Sequence, residues 1–251
     1  IDPVIVSFGF IDIRWYSLAY IFAFILGSIL IKKFNTISYK LISDAQIDQF
    51  FIWAIIGVII GGRIGYVLFY QINLFFIKPS YILEIWNGGM SFHGGLIGMI
   101  LSIYFFSLKY KIPFLYLSDL VSLVAPIGLF LGRISNFINT ELYGRITDFP
   151  FAIIYPLVDE NPRHPSQLYE AFFEGVILFL ILFLYFNNKS KVYLIGSMSG
   201  LFLIFYSIFR FLIEYLREPD YHLGLVFYFF SMGQLLCIPF FFAGIWILIR
   251  K

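Results

Sequence analysis

The segment 132–147, GRISNFINTELYGRIT, places Arg133, Asn136, Asn139, Glu141, Arg145 and Thr147 at the end of a long apolar run. An arginine in or beside hydrocarbon costs about 3 kcal/mol by insertion scales, and more by simulation. Such a group persists where it binds something anionic or pairs internally. Arg210, in a later apolar run, is the second group of this kind. A guanidinium is planar and stays charged, and its fork matches phosphate oxygens. Two of them at one depth suit a phospholipid head group. The competing arrangement is pairing with carboxylates: Arg210 and Glu214 are spaced i, i+4, as are Glu170 and Glu174. Asn136 and Asn139 share a helix face with Arg133. Their amides suit a glycerol hydroxyl, a phosphate oxygen or a bridge to another helix. Glu141 is placed to orient an arginine, and Gly144 is expected to let the chain turn.

Three histidines complete the polar inventory. His93, in WNGGMSFHGG, suits a general base or a hydrogen bond to a neighbouring carbonyl. His164, before Pro165, reads as a loop anchor or a site residue, and His222 as an exposed loop residue. They form no H-E-x-x-H motif and no close metal spacing, so no metal is expected. The single cysteine, Cys237, excludes an internal disulfide and reads as a small buried hydrophobe.

The elements that must position these groups are transmembrane. Of 251 residues, 61% are hydrophobic and 13% charged, against about 45–50% and 25% in a soluble domain. A spanning helix needs ~20 apolar residues. Seven runs qualify, at roughly 15–31, 50–70, 89–108, 115–137, 166–186, 193–215 and 225–249. They predict an all-α integral membrane protein with seven transmembrane helices in one domain, 1–251. The polar segment 139–165 is expected to form a small extracytoplasmic cap of irregular or short-strand structure. No internal repeat supports a transporter architecture. The net charge of +2 shows no nucleic-acid footprint, and no G-x-x-x-x-G-K-[ST] loop supports nucleotide-driven work. The first run has no basic segment before it, which predicts a retained helix rather than a cleaved signal peptide. Gly57/Gly61/Gly65, Gly94/Gly98, Gly128/Gly132 and Gly196/Gly200 recur at four-residue spacing, mainly for close helix packing.

Eight of the nine lysines (Lys32, Lys33, Lys40, Lys109, Lys111, Lys189, Lys191 and Lys251) fall on one side of this arrangement, and Lys78 on the other. The lysine-rich side should be cytoplasmic, with the amino terminus out and the carboxy terminus in. Arg133, Asn136, Arg210, Glu214 and Arg217 then lie in the outer turns of their helices. So do Tyr16, His93, and His164, Gln167, Tyr169 and Glu170 at the mouth of the fifth helix. Arg63 lies mid-to-outer and reads as a structural pair or a snorkelling side chain. At ~1.5 Å rise per residue most of these groups share a layer roughly 10 Å thick, while the inner half holds Asp119 and little else. An anion transporter would need a continuous polar path that Asp119 alone does not make. An intramembrane protease would need an aspartate pair or a Ser–His pair, and Asp119 and His93 have no evident partner. A purely structural protein explains the glycines but not the polar layer.

Four segments in one order carry a family resemblance. GRISNFINTELYGRIT resembles the signature of the bacterial prolipoprotein diacylglyceryl transferases, with Gly132, Arg133, Asn136, Phe137, Asn139, Glu141, Gly144 and Thr147 in matching places and Ser135 where the family usually has glycine. SFHGG (91–95), RHPSQLYEA (163–171) and RFLIEYLREPD (210–220) are similar to further segments of that family. The resemblance implies a seven-helix enzyme of the bacterial inner membrane, with an outward-facing site and no cofactor, expected here as a monomer. It would move the diacylglyceryl group of phosphatidylglycerol to the lipobox cysteine thiol of a prolipoprotein, forming a thioether and releasing glycerol phosphate. On that reading Arg133 and Arg210 hold the phosphate, and His93 helps deprotonate the thiol. Tyr16, Asn136, Asn139, Glu141, Gly144, Glu214 and Arg217 position the head group and the arginines. His164, Gln167, Tyr169 and Glu170 complete the binding set, with Glu170 or Tyr169 as other candidates for the base.

Overall fold

A computed structural model describes residues 4–8, 11–189, 194–219 and 229–250. His222, Asp220, Lys191 and Lys251 lie outside the described residues. The element order is a hairpin, β1 (Val4–Phe8) and β2 (Ile11–Arg14), then helices α1 (Trp15–Ile37), α2 (Asp44–Tyr70), α3 (Ile72–Ile77), α4 (Phe92–Tyr110) and α5 (Phe114–Ile138). A short pair, β3 (Ile153–Ile154) with β4 (Pro162–Arg163), precedes α6 (Ser166–Glu170). This helix runs through a π-helical segment, Ala171–Ile177, into α7 (Leu178–Lys189), and α8 (Ser197–Ile213) and α9 (Met232–Ile249) follow. Among the described residues six helices, taking Ser166–Asn188 as one, are long and apolar enough to cross a membrane. The sixth predicted run forms α8, an apolar helix of 17 residues. The terminal hairpin and the α3 region, where two 3₁₀ turns (Pro79–Leu83 and Ile85–Asn87) follow the helix, were not anticipated by the apolar runs.

The chain divides into two compact units, Tyr39–Ser118 and Ile1–Ser38 with Asp119–Lys251. In the first, α2 packs on α4. Ser43 and Gln46 close a capping box that starts α2 well before its apolar run. A Cβ on Gly98 would collide with the Gly57 carbonyl oxygen, and one on Gly61 with that of Gly94. The glycine spacing in these helices therefore serves backbone-to-backbone approach. Ser102 Oγ donates to the Trp53 carbonyl at 2.9 Å, and Tyr110 hydrogen-bonds Gln49. Arg63 is buried and has a structural role: it donates to the carbonyls of Tyr81 (2.7 Å), Gly88 (2.5 Å), Ile82 and Gly89 (both 3.3 Å). It thereby organises the stretch between α3 and α4 through backbone acceptors.

In the other unit α8 and α9 pack at Gly200 and Gly244, where a Cβ on Gly244 would sit 2.8 Å from the Gly200 carbonyl oxygen. Gly128 and Gly132 form no such seam: a Cβ on Gly132 meets nothing within 4 Å. Asp119 closes the amino end of α8. Its carboxylate accepts from Gly196 N (2.6 Å), Ser199 N (2.8 Å) and Ser199 Oγ (2.8 Å), where helix dipole and orphan N–H groups favour a negative charge. Asp119 is thus a helix anchor.

Gly61→Leu or Gly98→Val should force α2 and α4 apart. The expected loss is at least about 1–3 kcal/mol, read as a lower midpoint of thermal unfolding in detergent, and Gly132→Ala should shift that midpoint far less.

Candidate active site

The polar residues of the larger unit converge in three connected groups. The first is an ion network buried between α5, the α6–π segment, α8 and α9. Arg133 Nε lies 2.7 Å from Glu170 Oε2, and Arg210 Nη1 lies 2.5 Å from Glu170 Oε1, so one carboxylate fastens both guanidiniums. Glu174 lies behind them, 3.5 Å from Arg133 Nη2 and 3.7 Å from Arg210 Nη1. Arg210 Nη2 reaches Glu214 Oε2 at 3.0 Å, and Arg217 Nη1 approaches the same oxygen at 3.7 Å. Ser231, the N-cap of α9, donates to Glu214 Oε1 at 3.0 Å. Glu170 and Glu174 are fully buried, and Arg210 and Glu214 nearly so. Pairing is what makes these charges tolerable in a low-dielectric setting. Both readings of the arginine pair thus have a physical basis: each arginine is salt-bridged, and the two are brought to a common point.

The second group sits three residues further along α5. Asn136 Nδ2 hydrogen-bonds Tyr16 at the start of α1 and donates to Glu141 Oε2 at 3.3 Å, and Tyr16 OH donates to the same oxygen at 2.9 Å. Glu141 therefore orients Tyr16 and Asn136, where the sequence suggested an arginine. Asn139 Oδ1 is buried with no hydrogen-bond partner among the described residues. Ser135 is buried, and its hydroxyl bonds back to the Leu131 carbonyl at 3.0 Å, so the departure from glycine is satisfied within the helix.

The third group is the segment after α5. Gln167 Nε2 donates to the Glu141 carbonyl (2.7 Å) and Gln167 Oε1 accepts from Tyr155 OH (3.0 Å), while Ser166 Oγ donates to the Leu142 carbonyl (2.8 Å). Gly144 N donates to the His164 carbonyl (2.9 Å) and Arg145 N to that of Leu216 (2.9 Å), which ties this segment to the end of α8. The role expected of Gly144 needs correction. The left-handed residues of the turn are Thr140 (φ 61°) and Leu142 (φ 58°). Gly144 is required for space, since a Cβ there would lie 2.5 Å from the His164 carbonyl oxygen and 2.7 Å from that of Leu216. His164 is an anchor through its backbone, and its ring lies by Phe149 and Tyr169, with Nδ1 3.4 Å from Tyr169 OH. Arg163 binds Asp159 (2.7 Å), Glu218 (3.3 Å) and the Gly144 carbonyl (3.2 Å). Arg163 holds the Asp159 carboxyl down at about 2, and burial pushes the Tyr155 phenol up to about 12.

His93 belongs to the other unit. It is exposed on the first turn of α4, edge-to-face with Phe92. Within the ion network, the residues that sequence reasoning left out of the site are Glu174 and Ser231. A carboxylate inside an apolar helix was the legible sign for Glu174, and the S-M-G-Q capping box was the sign for Ser231.

A buried arginine–glutamate network in a polytopic all-helical membrane protein defines a class, a membrane-embedded protein with an anion-directed polar centre. Comparison with known proteins narrows it. The family described as prolipoprotein diacylglyceryl transferase matches residues 3–250, and the chain belongs to that family. It is 50% identical over 250 residues to the phosphatidylglycerol–prolipoprotein diacylglyceryl transferase of Rickettsia typhi, covering 100% of this chain and 96% of that protein. It is 46% identical to the protein of that name from Nitratidesulfovibrio vulgaris, over 100% and 94% of the two chains. For the one from Pseudoalteromonas atlantica the figures are 48% identity over 98% and 87%.

A depressed Asp159 contributes stability that is fully present above its unfolded value of about 3.9 and fades as the pH falls through about 2. The Thr147 amide, which donates to the Pro162 carbonyl, should therefore keep its hydrogen-exchange protection at pH 5. In Asp159→Asn it should exchange faster at pH 5, and the wild-type difference should shrink toward pH 2.

Proposed function

We propose that this protein transfers the diacylglyceryl group of phosphatidylglycerol to the cysteine thiol of a prolipoprotein lipobox, as the names of its relatives state for those proteins. The observation that carries the site assignment is the meeting of Arg133 and Arg210, from two different helices, on Glu170. A phosphodiester is held best by donors fixed before it arrives, and Glu170 supplies that fixation. Arg133 and Arg210 grip the phosphate and stabilise the charge that develops as it leaves. Tyr16, Asn136 and Glu141 form a hydrogen-bonding set for glycerol hydroxyls on the same helix face as Arg133, with Asn139 Oδ1 as a spare acceptor. Glu214 and Arg217 fix Arg210, while Gly144, His164, Gln167 and Tyr169 hold the neighbouring segment.

The thiolate is the nucleophile. Its sulfur forms a bond to the terminal carbon of the diacylglyceryl group, the bond from that carbon to the phosphate-ester oxygen breaks, and glycerol phosphate departs with that oxygen and the electron pair. The thiol proton passes to a base, which we assign to His93 on the SFHGG segment alone. No cofactor enters this scheme.

The same reading gives a single polytopic domain in the bacterial inner membrane, acting as a monomer. Its α8 is the seventh crossing and 139–165 an extracytoplasmic cap. The amino terminus is out, the carboxy terminus in, and the site faces the outer leaflet. The lysine distribution supports that orientation.

Purified protein incubated with phosphatidylglycerol and a lipobox peptide should add one diacylglyceryl mass to the peptide. A Cys→Ser peptide should gain nothing. Arg133→Ala should lower the rate by about 10²–10³ while inserting normally. Near-wild-type transfer by Arg133→Ala would overturn the phosphate assignment. No transfer by folded wild-type protein, with flux of a phosphate ester instead, would favour a transporter.

A further inference from the structure

The ion network contains as many carboxylates as guanidiniums. Among the described residues it joins three guanidiniums (Arg133, Arg210, Arg217) to three carboxylates (Glu170, Glu174, Glu214). With all six ionised the network is neutral, and a phosphodiester entering it would leave a buried net charge of −1. That is costly where water is excluded. A protein that binds this anion gains by keeping one carboxyl neutral.

The contacts single out which one. Glu170 makes close contacts to both arginines at 2.7 and 2.5 Å. Glu214 takes a guanidinium nitrogen at 3.0 Å and the Ser231 hydroxyl at 3.0 Å. Glu174 is fully buried, and among the described residues both of its oxygens lack a hydrogen-bond partner, against one oxygen each in Glu170 and Glu214. Its nearest nitrogens, at 3.5 and 3.7 Å, lie beyond the ~2.7–2.9 Å of a charge-assisted bond. Among the described residues, the charged or titratable groups that act on it are Arg133 from α5, Arg210 and Tyr206 from α8, Cys237 from α9 and Glu170 from its own helix. No lysine or histidine is among them. Glu174 also sits in the π-helical segment, a winding common at functional sites. The next residue, Gly175, lets that segment approach α5 so closely that a Cβ would lie 2.6 Å from that of Phe130.

We propose that Glu174 is a positioning residue that holds a proton while the lipid phosphodiester is bound, so that Arg133 and Arg210 present a net positive charge to it. Binding of the anion takes up one proton from water at the Glu174 carboxylate whenever that group is ionised beforehand. This inference rests on the phosphate reading of the arginine pair. The proton at Glu174 is distinct from the thiol proton, which leaves by the base.

Infrared difference spectra of the full-length protein in phosphatidylcholine nanodiscs, with and without added phosphatidylglycerol, test it directly. The expected result is a protonated-carboxyl stretch in the phosphatidylglycerol sample that shifts in deuterated water, disappears on alkaline titration and is missing in Glu174→Gln. In the transfer assay the wild-type KM for phosphatidylglycerol should rise by up to about tenfold per pH unit between the pH at which Glu174 ionises in the lipid-free protein and the pH at which the band is lost. Glu174→Gln should remove the rise, and Glu170→Gln, which itself relieves the network of one negative charge, should weaken it while lowering kcat. The absence of a Glu174-dependent band, or an alkaline rise in KM that persists in Glu174→Gln, overturns the proposal. The band is read without turnover, so an inactive wild type would count against the transferase reading and leave this result to be judged separately.

Discussion

Charge buried out of water must be paired, and this single constraint explains most of what is unusual about the larger unit. Arg133 and Arg210 lie on separate apolar helices, and neither helix supplies enough acid to neutralise both. Glu170 does so from a third helix, backed by Glu174, while Glu214 takes the outer nitrogen of Arg210. Leaving one such arginine without its acid would cost roughly 3–5 kcal/mol. That cost makes the mutual placement of α5, the α6–π segment and α8 a matter of electrostatics as much as packing. Apolar helices in lipid gain little from one another by hydrophobic burial, so directional contacts of this kind set their register.

The remaining devices hold the network at its edges. Asp119 anchors the far end of α8 by capping it. Ser231 caps α9 and at the same time holds Glu214, so the start of one helix is welded to the ion network of another. On the other side, the bridges from Gly144 to His164 and from Arg145 to Leu216 close the segment after α5 onto the end of α8. The Asp119 and Ser231 devices use helix N-termini, where backbone groups are otherwise unsatisfied. The chain thus spends its orphan N–H and C=O groups on positioning the polar centre.

The sequence revealed the helices through length and apolarity, and it revealed the polar layer through the cost of charge in hydrocarbon. What it hid is partnership. Helical spacing shows that Arg210 can reach Glu214 and that Glu170 shares a face with Glu174. It does not show that Glu170 would serve two arginines from other helices, nor that Glu141 would turn to Tyr16 and Asn136 instead of to an arginine. Gly144 was misread for a related reason: a glycine in a polar segment suggests a turn, but here three backbones crowd one point and the turn falls to Thr140 and Leu142. Gly128 and Gly132 carry the same spacing as the α2–α4 seam without its function, because a seam needs a complementary face that one helix cannot display.

Pairing also reframes what an arginine clamp is. A bare guanidinium pair would repel itself apart and would be hard to bury without ligand. A fully neutralised pair would have little charge left for an anion. The arrangement here lies between these limits, with one acid held close, one held by a serine and a second helix, and one held at a distance. On the proposal made for Glu174, affinity for a singly charged head group depends on that gradation, since the tightly bound acids fix geometry and the loosely bound one governs how much positive charge the site shows. On that proposal the distance of Glu174 from its nearest nitrogens matters to the site as much as the short contacts of Glu170.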